Sequence, residues 1–321
     1  MDIQVVISQM AVLFILIAAG YLSGKIKMLS PDGVKTLSKI VINISTPSVI
    51  LNSVLGGTDG ITGGKTAYFI FMVVLAFALF FLIGIPSARA LGASEGRGTV
   101  PGQGDGSIVS HNNSGLFASM IIFGNVGFMG YPVVQAIFGD GAMFYAVLLN
   151  VIFNMLVYSV GIMMISGKGE KIKLNLIINV NFIVSLISLV IAFTDFRAPF
   201  VITEAIRLAS GLNTPCAMLV IGATLAQIPF KQVFVKWQLY PVTLLKTIVI
   251  PVVTWLVFKQ FITESMLLGV LVVLSGTPVA AAVPMVAVEY GGDERTASSG
   301  VFLTTLLSAA TIPLIVYLLL T

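Results

Sequence analysis

Cysteine and histidine are almost missing: the chain carries one of each, Cys216 and His111. One thiol and one imidazole cannot build a Cys/His zinc site, a disulfide or a haem ligand set. A Ser-His-Asp hydrolase would need His111, which lies in a glycine-rich polar stretch away from any apolar pocket. Charge is scarce too, at 9% of 321 residues, against about 25% in a typical soluble protein. All thirteen acidic residues fall in loops or at the ends of apolar runs. The runs therefore hold no Asp or Glu of the kind that proton and sodium carriers titrate or coordinate with. These shortages argue against an enzyme, a metal site and any cofactor.

What is abundant is hydrophobic length. Hydrophobic residues make up 57% of the chain and the mean hydropathy is +1.05, which provides for about ten spans of about 20 residues. Continuous apolar runs exclude a β-barrel, whose strands alternate every second residue, so helices must do the spanning. The expected spans are Val5 to Leu22, Leu37 to Leu55, Thr66 to Ile85, Gly115 to Phe138 and Met143 to Ser166. Five more follow at Leu174 to Phe193, Ala205 to Ala226, Trp237 to Phe258, Met266 to Val288 and Ser298 to Leu320. The first has no cleavage-site pattern after it and reads as a retained helix.

Loop charge sets the orientation. Loops after the odd spans hold Lys25, Lys27, Lys35, Lys39, Arg89, Arg97, Lys168, Lys171, Lys173, Lys231, Lys236 and Arg295, whereas those after the even spans hold Lys65, Arg197, Arg207 and Lys259. The bias places the odd loops in the cytoplasm and both termini outside, in a multi-pass protein of the cytoplasmic membrane. It also explains the net charge of +4 without nucleic acid as a partner. The segment between Leu91 and Gly115, rich in Gly, Ser, Asp and Asn, reads as a flexible cytoplasmic loop over residues 92–114.

The halves repeat weakly. Leu37 to Leu51 reads LSKIVINISTPSVIL and Ala205 to Leu219 reads AIRLASGLNTPCAML, which sets Thr46-Pro47 over Thr214-Pro215 at constant offset. Span 2 thus matches span 7. Because five spans is an odd number, the second copy enters from the opposite side, giving inverted five-helix repeats over 1–166 and 167–321.

Carriers built this way bind substrate where matching helices are interrupted at mid-membrane. Span 4 contains Asn125-Val126-Gly127-Phe128-Met129-Gly130-Tyr131-Pro132, and span 9 contains Ser275-Gly276-Thr277-Pro278 followed by Ala280 to Ala282 and Pro284. Glycine permits unwound backbone, and proline removes an N–H and clashes with the carbonyl four residues back. Half-helices restarting near Pro132 and near Pro278 or Pro284 would aim free N–H groups at one spot, a setting that favours anions. Lys246, at about 1.5 Å per residue, stands roughly 13 Å and 18 Å from the ends of its span, too deep for easy snorkelling. It is expected to supply fixed positive charge where a related carrier would hold a coupling cation, or to face the substrate. Asn150 and Asn154 share a face of span 5, as Thr304, Ser308 and Thr311 do on span 10; joining helices by hydrogen bonds is the simpler role for both sets.

The run Phe123 to Pro132, continuing through Ala136-Ile137-Phe138-Gly139 to Tyr145-Ala146-Val147 and Asn154, resembles the span 4 and 5 signature of the auxin efflux carrier family of permeases. Gly20-Tyr21 with Leu29-Ser30 and Gly33, the Lys246 to Pro251 spacing, and Pro278 to Asp293 are similar to it as well. The resemblance implies an all-α integral membrane fold of ten helices in two inverted repeats, with crossed broken helices in spans 4 and 9. It also implies an elevator in which spans 3–5 and 8–10 move against a scaffold of spans 1, 2, 6 and 7. Bacterial members carry malate, malonate and similar acids; plant members export auxin. Two departures stand out: Ala282 replaces an Asn common at the span 9 crossover, and 92–114 is longer than the usual loop.

The expectation is a secondary carrier of small organic anions, mono- or dicarboxylates. The expected site is Asn125, Gly127, Gly130, Tyr131, Pro132, Thr277, Pro278, Pro284, Lys246, Asn150 and Asn154. A sodium- or proton-coupled carrier of larger amphipathic acids and a non-transporting membrane sensor are the competing readings. The acid carried, the direction of flow, H+ or Na+ coupling and oligomeric state, a homodimer included, stay open.

Overall fold

A computed structural model describes residues 3–55, 62–92, 113–166, 178–194, 196, 198–229, 233–234 and 236–320. Most of the glycine-rich stretch, with His111, lies outside these residues, as do Arg97, Lys168, Lys171, Lys173, Arg197 and Lys231. The described residues form helices and no strand. In chain order these are α1 (Ile3–Lys25), α2 (Pro31–Leu55), α3 (Gly63–Gly92), α4 (Ser114–Ile122), α5 (Val126–Phe138) and α6 (Asp140–Ser166). They continue with α7 (Val180–Ala192), α8 (Phe200–Gln227), α9 (Leu239–Phe258), α10 (Ser265–Ser275), α11 (Ala282–Tyr290) and α12 (Glu294–Leu320). Seven of them, α1, α2, α3, α6, α8, α9 and α12, are long and apolar enough to cross a bilayer.

Prolines widen these helices more often than they break them. The π-turns Val41–Ser45, Val126–Gly130 and Leu245–Val249 each end two residues before a proline: Pro47, Pro132 and Pro251. In each, the residue after the turn donates its N–H five residues back, from Thr46 to Val41, Tyr131 to Val126 and Ile250 to Leu245. The extra residue moves aside the carbonyl that the pyrrolidine ring would strike, so the helix continues.

Two sets of close helix contacts stand out, with further contacts between them. In one, α1 lies along α8, and α2 packs on α7 and on the first half of α8. The α1–α8 contact is close because Gly20 faces Leu219 and Gly222 faces Ile17 and Tyr21. A Cβ on Gly20 would stand 2.7 Å from the Leu219 Cα, and one on Gly222 2.6 Å from the Tyr21 nitrogen. Small residues let membrane helices approach backbone to backbone. The Thr46 hydroxyl meets Asn213 Oδ1 at 3.1 Å, so the two Thr-Pro segments noticed in the sequence touch across α2 and α8.

In the other group α3 packs on α4, α9 on α10 and α12, and α11 on α12 and the end of α6. Its core is aromatic, with Phe69 edge-on to Tyr145, and Phe123 edge-on to Phe81 and Phe153. At one end the Lys236 ammonium lies 2.9 Å from Asp293, which also caps α12 through the Thr296 N–H. Partial burial alone would raise the Asp293 carboxyl, but the bonds from Thr296 and Lys236 outweigh it and hold the group below its ordinary value.

Candidate functional site

The two interruptions meet. Between α4 and α5 only Phe123 to Asn125 leave the helix, and between α10 and α11 only Gly276 to Ala281 do. Gly124 and Val279 form an isolated antiparallel bridge. The Asn125 N–H donates to the Pro278 carbonyl at 2.7 Å, and the Ala280 N–H to the Phe123 carbonyl at 3.0 Å. Unwound backbone inside a membrane protein must find partners in the protein, and here each segment supplies them to the other.

Gly124 makes the crossing possible. A Cβ there would touch the Thr277 hydroxyl and stand 3.0 Å from Lys246 Nζ. Lys246 is 1% exposed, sits in the widened turn of α9 and donates to the Ser275 carbonyl at 3.1 Å. Its ammonium therefore lies where the C-terminal ends of α4 and α10 converge, and cations are favoured at helix C-termini. The other orphan carbonyls of α10 are served locally. The Ser275 hydroxyl donates to Val272 and that of Thr277 to Leu274, both at 2.7 Å.

The N-termini of the following half-helices are less enclosed. Asn125 caps α5, its Oδ1 accepting the Phe128 N–H at 3.3 Å. Its Nδ2 makes no hydrogen bond among the described residues, in a residue only 6% exposed. Helix α11 starts at Ala282, and Ala281 before it provides no side-chain cap. No bond from the Ala281 or Ala282 N–H is found among the described residues, and both residues, like Gly127 and Phe128, are half-buried amid fully buried neighbours. Four free N–H groups of this kind, at Nδ2 and at two backbone positions, suit an anion.

The expected residues divide accordingly. Asn125, Thr277, Pro278 and Lys246 lie together at the crossing. Gly127, Gly130, Tyr131 and Pro132 are helical, not unwound: α5 restarts at Val126, well before Pro132, because the π-turn accommodates the proline. Gly130 allows Leu274 of α10 to pack against it. Pro284 occupies the first turn of α11. Tyr131 is buried, and its hydroxyl interacts with Asn150 without closing a hydrogen bond of standard geometry. Asn150 thus lies behind the crossing, and Asn154 is half-buried one turn further along α6, with no side-chain hydrogen bond to the crossing among the described residues. Sequence reasoning placed Thr304 among residues joining helices. In the fold its hydroxyl accepts the Val279 N–H at 3.0 Å while donating to Gly300 at 2.7 Å. Gly124 was missed as a site residue, and its only sequence signal was its place directly before Asn125.

A chain of long apolar helices with two paired interruptions, a buried ammonium and unpartnered N–H groups has the features of a membrane transporter, not of an enzyme. The sequence matches the family described as Membrane transport protein over residues 5–94, 108–176 and 170–316. It belongs to that family, the auxin efflux carrier family, as the span 4 signature led one to expect. An uncharacterized transporter of Methanocaldococcus jannaschii is 25% identical over 310 residues, 94% of this chain and 95% of that protein. An uncharacterized transporter of Methanothermobacter thermautotrophicus is 25% identical over 309 residues, 94% of each chain. A Rhizobium meliloti protein named "Putative malonate transporter" is 25% identical over 207 residues, 61% of this chain and 64% of that one.

Proposed function

We propose that the protein is a secondary carrier of small organic anions in the cytoplasmic membrane, with ten spans in two inverted repeats and both termini outside. The observation that carries this reading is the antiparallel pairing of Phe123–Asn125 with Pro278–Ala280 beside the buried Lys246 ammonium. A carboxylate binds at the Asn125 amide and the free N–H groups at the start of α11. Thr277 and Pro278 fix the crossing. Gly127, Gly130, Tyr131 and Pro132 shape the first turns of α5, with Asn150 behind them, and Pro284 does the same for α11. Lys246 places a basic group at two helix C-termini, where a coupling cation would otherwise be needed.

In this reading access alternates by movement of one set of helices past the other. The group α1, α2, α7 and α8 serves as the scaffold, and α3–α6 with α9–α12 carries the crossing past it as an elevator. Support comes from the close glycine contacts that lock α1 to α8 and from the many contacts that unite each group. The relative named for malonate supports an organic acid as the cargo.

Counterflow of labelled mono- and dicarboxylates in proteoliposomes, with and without sodium, tests the reading. Sodium-independent exchange is expected. A sensor gives no flux, and a strict sodium requirement removes Lys246 from its cation role. Lys246→Gln should lower exchange at least tenfold with the protein still folded; unchanged rates and unchanged charge preference would take Lys246 out of the mechanism.

A further inference from the structure

The fold buries Lys246 almost completely and gives its charge no counterion. An ammonium has three N–H donors, yet Nζ makes one hydrogen bond among the described residues, to the Ser275 carbonyl at 3.1 Å. The Leu274 carbonyl beside it already accepts the Thr277 hydroxyl at 2.7 Å. The elements packed on the widened turn of α9 are the rest of that helix, α4 and α12, with the end of α10 at Nζ itself. Helices α4 and α10 carry no titratable side chain. Those of α9 and α12, namely Tyr240, Glu294, Arg295 and Tyr317, stand in first or last turns. Glu264, just ahead of α10, is taken by Lys65 at 3.1 Å. Among the described residues no charged group meets the amine.

The anion site is nevertheless close. Nζ stands 3.0 Å from the point a Cβ would take on Gly124, the residue directly before Asn125. The converging ends of α4 and α10 favour a cation, but only modestly, and an unpaired buried ion is disfavoured more strongly. A neutral amine keeps the Ser275 bond without that cost. A carboxylate at the Asn125 amide brings the missing opposite charge to within a residue of Nζ, and an opposite charge nearby favours the protonated form.

Resting on the carrier reading above, we infer that Lys246 is the proton site of the carrier: its amine takes up one proton when an organic anion binds, going from NH2 to NH3+, and releases it on the side where the anion leaves. The empty carrier returns neutral at this position. Each anion thus moves together with one proton, and a monocarboxylate crosses without net charge. By linkage, the proton raises anion affinity by the factor with which the anion favours the proton. Such coupling needs no carboxylate inside the spans, and every Asp and Glu of the described residues lies within five residues of a helix end.

The test uses the full-length protein in proteoliposomes, with the membrane potential clamped at zero by potassium and valinomycin, a trapped pH dye, and labelled pyruvate and malonate as probes. An outside pH one unit below the inside should drive whichever acid shows counterflow to about tenfold accumulation, the ratio one coupled proton sets. One proton should enter per anion, above the leak of protein-free vesicles. Lys246→Arg, whose guanidinium keeps its proton, should exchange anion more slowly and without accumulation. Should that variant not fold, the residual uptake by Lys246→Gln should carry no proton. Asp140→Asn and Glu264→Gln should accumulate as the wild type does. Unchanged accumulation in the Lys246 variants, or its loss in either acidic variant with counterflow intact, overturns the assignment of the proton to Lys246. Wild-type counterflow without pH-driven accumulation overturns the inference and leaves the carrier reading standing. No counterflow of any mono- or dicarboxylate overturns both.

Discussion

The two crossing segments pair with each other and solve the same problem by different means. The α4–α5 segment is nearly self-sufficient: three residues leave the helix, and Asn125 caps the helix that follows. The α10–α11 segment is longer and leans on its neighbours, with Lys246 of α9 on the Ser275 carbonyl and Thr304 of α12 on the Val279 N–H. Its new helix has no cap at Ala281. One strand of the crossing is therefore fixed by its own sequence and the other by the surrounding bundle. The difference leaves donors free on the second strand, where a bound anion can complete what the chain does not.

Breaking the contact both segments share should have the largest effect. Gly124→Val drives a side chain into Thr277 and Lys246, and overpacking of this kind costs about 1–3 kcal/mol or more. Loss of monodisperse protein and of all exchange is expected in size-exclusion and flux assays. Next comes the self-capped strand. Asn125→Asp keeps the capping oxygen and should unfold at nearly the wild-type temperature, yet it turns a carboxylate toward the cargo and should weaken binding more than tenfold. Asn125→Ala should instead lose about 1 kcal/mol of stability together with affinity. Wild-type affinity in both variants would separate Asn125 from the cargo.

A smaller effect is expected on the supported strand. Thr304→Val leaves the Val279 N–H buried and unpaired, costing about 1–3 kcal/mol, with Thr304→Ser restoring most of it; thermal unfolding in detergent reads the difference. The smallest change should be a gain. Ala281→Ser gives α11 the cap it lacks, worth about 0.5–1 kcal/mol in unfolding free energy, and slows exchange by competing for the N–H groups the cargo uses. Stabilisation without slower exchange would mean that those groups are not part of the site.

Much of the crossing was legible because glycine, proline and a lone amide are conspicuous in apolar runs, and because the runs matched between halves. Asn125, Thr277, Pro278 and Lys246 come together as the pattern led one to expect. The extent of unwinding was misjudged in one respect. Gly127 to Pro132 looked like open chain, but a proline need not rupture a helix: three prolines here follow a widened turn, and Pro86 sits within a continuous one. The role of Thr304 was hidden as well: a threonine in an apolar helix bonds its own backbone by default, and only the fold brings Val279 to it.

The sequence by itself determined that this chain lives in a membrane, where its helices are, and which short stretches are unlike the rest, because those properties follow from hydropathy and backbone chemistry along the chain. The tertiary structure decided that Phe123–Asn125 and Pro278–Ala280 pair, that Lys246 points at Ser275, and that Phe128 packs between the main core and the small cluster of Val34, Val220 and Ala223. Those outcomes hinge on contacts between residues far apart in sequence, and in a medium without water each polar group takes whichever partner the fold brings within reach.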